Sequence, residues 1–130
     1  MIHLKIPIKP FPAKRVNGKW WKYTKTAIDY HNKKIELEKH LIAHRQEIMD
    51  RMIQWCYHIQ FHTAMPDSWS KKKRLEMNHK PNTQVPDIDN LYKAFSDTVF
   101  FWSELKDSLV WSLSASKHWA EEDKIIFIWD

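Results

Sequence analysis

Apolar and polar residues alternate from the start of the chain: Ile2, Leu4, Ile6 and Ile8 are interleaved with His3, Lys5, Pro7 and Lys9. A period of two predicts a half-buried strand, and Pro7, which has no amide hydrogen to donate, places it at a sheet edge. The pattern then breaks. KPFPAKRVNGKWWKYTK mixes prolines, bases and aromatics without a period and reads as an irregular basic segment. After Thr26 as a cap, Ile28, Ile35, Leu41, Ile42, Ile48, Met49 and Met52 recur at helical spacing, with Lys33, Lys34, Glu38 and Lys39 on a solvated face. This predicts one long amphipathic helix from Ala27. Trp55, Tyr57, Ile59 and Phe61 return to period two and predict a second strand.

Asp67 and Ser68 are cap candidates for a short helix through Met77, followed by a polar, proline-bounded loop that is expected to be mobile at its end. Ile88, Leu91, Phe95, Thr98, Val99 and Trp102 mark one face of a second major helix. Leu109, Trp111, Leu113 and Ala115 alternate with Val110, Ser112, Ser114 and Ser116, predicting a third strand. KIIFIW is apolar on both faces, as a central strand would be. The fold class is α+β, a single mixed sheet of about four strands carrying two main helices. There is no internal repeat and no low-complexity linker.

A chain of 130 residues, 43% apolar, supplies one packed core and is read as a single domain over residues 1–130. It has no run of about 18 apolar residues and no secretory leader, so no membrane association is expected. The lone Cys56 cannot form an internal disulfide, agrees with a reducing compartment, and is read as a small buried apolar residue. The charge balance adds direction. Lys and Arg number 21 against 16 acids, a net charge of +5, which is the footprint of a protein that meets a polyanion. Eight tryptophans exceed the needs of a small core and point to base stacking or a subunit interface. Gly18 is the only glycine, which excludes a Gly-rich phosphate loop and the nucleotide cofactors bound by one.

Within VPDIDNLYKAF, residues 85–95, Asp87 and Asp89 stand two apart before an apolar helical run. In extended backbone two such carboxylates face one side and converge on a cation, while Ile88 turns into the core. Oxygen donors suit the hard ions Mg²⁺ and Mn²⁺, and Mg²⁺ keeps open positions for a phosphate oxygen. The bland alternative is that the aspartates only cap the helix and complement its dipole. Lys93, four residues after Asp89, is spaced either for an exposed ion pair or to meet a scissile phosphate. Asp107 is the candidate third carboxylate, with Glu104 and Asp97 competing for that place. No Ser and His arrangement has the spacing of a nucleophile, and hydrolysis by metal-activated water needs none.

PDIDNLYKAFSDTV, followed by KDSLV leading into a strand, resembles the core motif of the RusA-type Holliday junction resolvases, whose active site comprises two aspartates, a following lysine and a later aspartate. IPIKPFPAKR resembles that family's first strand and basic turn, YTKTAIDY the lead into its long helix, and MPDSWSKKKRLEM the segment before its catalytic loop. The likeness covers most of the chain in order. It implies that Asp87, Asp89 and Asp107 bind Mg²⁺, with Mn²⁺ as the alternative ion, and that Lys93 assists at the phosphate. FWSELKDSLV departs from the family by lacking the usual glycine before the third acid and by placing Lys106 and Leu109 where an acid and a glutamine are common, which leaves Glu104 as an alternative to Asp107. The basic turn keeps Lys14 and Arg15 without the usual glycine and proline. A homodimer acting on branched DNA, the four-way junction above all, in a bacterial or phage-infected cytoplasm, follows from the resemblance and from the need for two symmetric cuts.

Two basic runs are candidates for DNA contact. Lys71, Lys72, Lys73 and Arg74 precede the acidic loop and read either as a solvated helix face or as a phosphate track. Lys14, Arg15, Lys19, Lys22 and Lys25, interleaved with Trp20, Trp21 and Tyr23, form the second. His40 and His44 have the spacing of a helical zinc pair, but HLIAH lacks an interior glutamate and a third ligand, so zinc is not expected. Two rivals stay open: a non-catalytic basic DNA-binding module, and a metal-dependent nuclease acting on non-branched DNA.

Overall fold

The computed structural model describes residues 2–14, 24–54, 56–101 and 103–130. Its elements in chain order are β1 (Ile2–Ile6), α1 (Lys25–Leu41), α2 (Arg45–Gln54), β2 (Tyr57–Ala64), α3 (Lys71–Met77), α4 (Ile88–Phe100), β3 (Ala115–Ala120) and β4 (Lys124–Trp129). The strands form one mixed sheet in the order β1-β4-β2-β3. β4 is antiparallel to both β1 and β2, and β2 and β3 run parallel. The expected α+β class therefore holds, with β1 at an edge and KIIFIW in the interior of the sheet.

The apolar face of this sheet is covered by helices. Ile6, Ile59, Phe61, Ile125 and Phe127 pack with Leu37 and Leu41 of α1, Ile48 and Met52 of α2, and Leu91, Phe95 and Val99 of α4. Phe127 stacks on Phe95 at 6.0 Å and on Tyr57 at 5.6 Å, which seats α4 over the centre of the sheet. Full burial of an aromatic ring such as Phe95 contributes about 1.5–3 kcal/mol. No helix among the described residues is long and apolar enough to cross a membrane.

Four expectations need correction. The single long helix is two, α1 and α2, joined by a 3₁₀ turn at Ile42–His44. A straight helix from Ala27 to Gln54 would run about 42 Å, well past strands of at most eight residues. The turn lets both halves reach the core, and the Arg45–Glu38 ion pair at 2.7 Å spans it. The caps also shift: Thr24, rather than Thr26, accepts from the Ala27 amide, and Ser70, rather than Asp67 or Ser68, from Lys73. Cys56 is exposed, not buried.

The alternation at 109–116 marks extended backbone more than paired strand. Asp107–Leu109 is a 3₁₀ turn, and β3 pairs with β2 only from Ala115, opposite Ile59. Leu109, Trp111 and Leu113 remain exposed. The first part of the proline-bounded loop after α3 lies along β3. His79 donates to Trp119 O at 2.8 Å, Trp119 to Lys80 O at 3.0 Å, and Asn82 to Lys117 O at 3.1 Å, with a bridge between Pro81 and His118. Backbone groups of His79, Lys80 and Asn82 are thus satisfied by the sheet edge, which fixes this part of the loop.

Candidate active site

α4 divides its residues by face. Leu91, Ala94, Phe95, Thr98 and Val99 are buried, while Asp89, Asn90 and Lys93 are exposed. Asp89, Lys93 and Asp97 follow at four-residue intervals and so line one side of the helix. Asp87 occupies the N-cap position with extended backbone, φ −64° and ψ 147°, yet its side chain makes no capping hydrogen bond. Asp89, in the first turn, accepts from the adjacent Asn90 amide at 3.0 Å, and among the described residues it has no other hydrogen bond. The bland account gave Asp87 a capping task; in the structure that carboxylate does not perform it. Both aspartates are exposed at the positive end of the helix dipole, which favours the two anions there.

One turn on, charges are paired. The Lys93 ammonium lies 3.0 Å from Asp97 Oδ1 and 2.9 Å from Asp107 Oδ2. Asp107 belongs to the 3₁₀ turn Asp107–Leu109, so this contact ties that turn to α4. Asp97 also accepts from the Tyr30 hydroxyl at 3.2 Å, which anchors the group to α1. Hydrogen bonds to Asp107 and then Asp97 hold Lys93 above the ordinary lysine range, against a smaller opposing effect of burial. Lys93 is therefore a fixed cation rather than a proton acceptor. Beneath it, Tyr57 donates to Ser112 O at 2.6 Å and its oxygen lies 3.4 Å from that of Tyr92. Burial, followed by the contact with Tyr92, pushes the Tyr57 phenol up, and burial likewise raises Tyr92. These hydroxyls stay protonated. A cavity of about 390 Å³ opens here, lined by Tyr92, Lys93, Asp107, Trp111 and Leu113 among others.

The structure thus brings Lys93 and Asp107 together as an ion pair, whereas the sequence reading set Asp107 with the two aspartates, and it places Asp87 and Asp89 one turn away at the helix start. Among the described residues no group of three or more His, Cys, Asp or Glu side chains is set to hold a metal ion. Asp87 and Asp89 fit a hard divalent cation in donor type, and the Asp87 carboxylate is not spent on a cap; Asp107 instead faces an ammonium. Asp97 is held by Lys93 and also by Tyr30, Asp107 by Lys93, and Glu104 is exposed.

The basic candidates separate in the same way. Lys71 and Lys72 are exposed, whereas Lys73 lies over the Trp69 ring at 4.2 Å. Arg74 donates to Pro66 O at 2.8 Å and to Met65 O at 3.5 Å, an internal task at the end of β2. Lys14 is exposed, and the Ala13 amide before it donates to Asn90 O at 2.9 Å, which ties the chain at Ala13 and Lys14 to the first turn of α4. Arg15, with Lys19, Trp20, Trp21, Lys22 and Tyr23, lies outside the described residues.

Tyr30, Tyr57 and Tyr92 were not singled out from sequence. Tyr57 read only as a core position of a strand, and the one available signal was that Tyr92 directly precedes Lys93.

No curated protein and no solved structure matches the chain. The family model for endodeoxyribonuclease RusA matches residues 7–128, from the end of the first strand to the last. That span includes the two aspartates at the start of α4, Lys93 and Asp107, and the chain belongs to the RusA endodeoxyribonuclease family.

Proposed function

We propose that this protein is a homodimeric, Mg²⁺-dependent endonuclease that resolves Holliday junctions and other branched DNA by paired phosphodiester hydrolysis. The observation that carries the reading is the start of α4, where Asp87 and Asp89 are exposed and Asp87 makes no cap, one turn from a lysine held charged by two carboxylates. Asp87 and Asp89 are the residues that would hold the ion, joined by Asp107 when its carboxylate is shared with Lys93. A bound Mg²⁺ supplies a water of lowered pKa and neutralises charge on the phosphate. Lys93 directs its ammonium at a non-bridging or leaving oxygen, where negative charge develops in the transition state. Asp97 and Asp107 orient that ammonium, and Tyr30 orients Asp97. Lys14, Lys71 and Lys72 meet backbone phosphates of the duplex arms. A two-fold pair of subunits presents two identical sites to a junction of matching pseudo-symmetry.

The test incubates the protein with labelled four-way and linear duplex DNA, with Mg²⁺ and with EDTA, and measures its mass by light scattering. Paired cuts in the junction alone, only with Mg²⁺, by a particle of twice 15.8 kDa support the reading. Equal cutting of linear duplex would shift it to a nuclease of non-branched DNA, and binding without any cutting to a DNA-binding module.

A further inference from the structure

The loop that delivers the two aspartates is held in two different ways. From His79 to Asn82 it is fixed by backbone pairing with β3. Beyond Asn82 that pairing stops, three residues before Pro86. Among the described residues, the hydrogen bonds that reach residues 84–86 are Asn82 Oδ1 accepting from the Gln84 amide at 2.9 Å, and two from one side chain. That side chain is Lys117 of β3, whose ammonium donates to Gln84 O and, at 2.8 Å, to Pro86 O. Val85 between them is 84% exposed, so its side chain gives the turn no packing anchor. Pro86 has no amide hydrogen and adds no donor of its own. The next residue is Asp87, whose carbonyl accepts the first helical bond of α4 from Leu91 at 3.1 Å.

We propose that Lys117 is a positioning residue for the acidic pair: by gripping the Gln84 and Pro86 carbonyls from the sheet edge, it fixes where α4 begins and how Asp87 and Asp89 present their oxygens. A lysine suits this task because an ammonium has three donors on a flexible stem and satisfies two carbonyls at once. The inference rests on the metal-dependent reading above and adds to it a residue that touches neither ion nor DNA.

The experiment compares wild type with Lys117→Met and Lys117→Arg in four measurements: Mg²⁺ dependence of junction cleavage, Mg²⁺ binding by calorimetry without DNA, junction affinity in EDTA, and thermal melting. Outer groups that orient metal ligands are worth roughly 10–100-fold in affinity or activity. Lys117→Met should raise the Mg²⁺ concentration for half-maximal cleavage, and weaken calorimetric binding, by about tenfold. Junction affinity in EDTA should be unchanged, and Lys117→Arg should restore most of the Mg²⁺ response because a guanidinium also reaches two carbonyls. A Lys117→Met protein with the wild-type Mg²⁺ requirement overturns the proposal. So does one that loses junction affinity in EDTA while its Mg²⁺ response is unchanged, since Lys117 would then be a DNA contact. Should Lys117→Met melt below the assay temperature, Lys117→Gln, with a shorter and weaker donor, is read by the same criteria. A wild type that cuts but ignores the Lys117 substitutions removes this inference alone, whereas a wild type that binds no divalent ion removes the metal reading with it.

Discussion

The two ends of the exposed face of α4 spend their charges differently. At the start, Asp87 and Asp89 are exposed, and Asp87 leaves unused the cap that its position offers. One and two turns on, Lys93, Asp97 and Asp107 satisfy one another within 3.0 Å, and Tyr30 adds a fourth member. Folding alone explains the second group, since each charge there has a partner. It does not explain the first, because among the described residues these two like charges, set close together, gain only the helix dipole and the Asn90 amide that donates to Asp89. Groups left unspent by the fold are the ones available to a ligand.

The largest effect that tests this contrast is expected at the unspent end. Asp89→Asn keeps the size and capping ability of the side chain but removes charge from the ion site. Loss of a metal's contribution, several kcal/mol, should lower junction cleavage by about a thousandfold or more. Melting should be unchanged, and junction affinity in EDTA equal or higher because repulsion of the phosphates falls. Near-normal cleavage by a folded Asp89→Asn protein would overturn the assignment of the start of α4 as the ion site.

Lys93 belongs to both halves of the contrast, being paired in the fold and aimed at the phosphate in the proposed reaction. Replacing it by Met removes a preorganised cation, for which roughly 10²–10³-fold in the cleavage rate is expected. It also leaves Asp97 and Asp107 without their counter-charge, so a drop in melting temperature should accompany the loss. Cleavage reduced less than tenfold would confine Lys93 to the ion pairs. Asp97→Asn should cost less, about tenfold, because it only orients Lys93 through one hydrogen bond and keeps an acceptor for Tyr30. An Asp97→Asn loss as deep as that of Asp89→Asn would make Asp97 an ion ligand and erase the distinction between the two ends.

Much of this arrangement could be read from sequence because it depends on local spacing. The four-residue interval that lines up Asp89, Lys93 and Asp97 is a property of any helix, and the apolar period at Leu91, Phe95 and Val99 fixes which way that line faces. Period-two runs located β1 and β2, and the continuous apolar run KIIFIW located β4. What escaped were tertiary partners. Alternation at Leu109–Ala115 could not tell extended backbone with exposed Trp111 from a paired strand, since pairing depends on which neighbour lies alongside. The break at Ile42–His44 answers to the length of the sheet, which no helical window contains. Lys117 carried no local signal at all; its contact with Pro86 O depends on a loop more than 30 residues earlier in the chain.

The smallest expected effect applies the same distinction to the basic run of α3, where neighbouring positive charges differ in what the fold asks of them. Lys71 and Lys72 are exposed, while Arg74 is committed to the Pro66 and Met65 carbonyls. If the unspent charges are those that meet DNA, Lys71→Ala with Lys72→Ala should reduce the slope of log affinity against log salt by about 0.9 for each lysine that contacts a phosphate. The cleavage rate at saturating protein should hardly change, because neither lysine is placed beside Lys93. Arg74→Ala should do the opposite, leaving the salt slope in place and lowering stability by roughly 1 kcal/mol as its hydrogen bonds to the turn after β2 are lost. Salt titrations of junction binding and thermal melts on the two variants measure both quantities. A shallower slope for Arg74→Ala, with an unchanged slope for the double lysine variant, would show that internal hydrogen bonding does not separate structural from DNA-contacting charge on this surface.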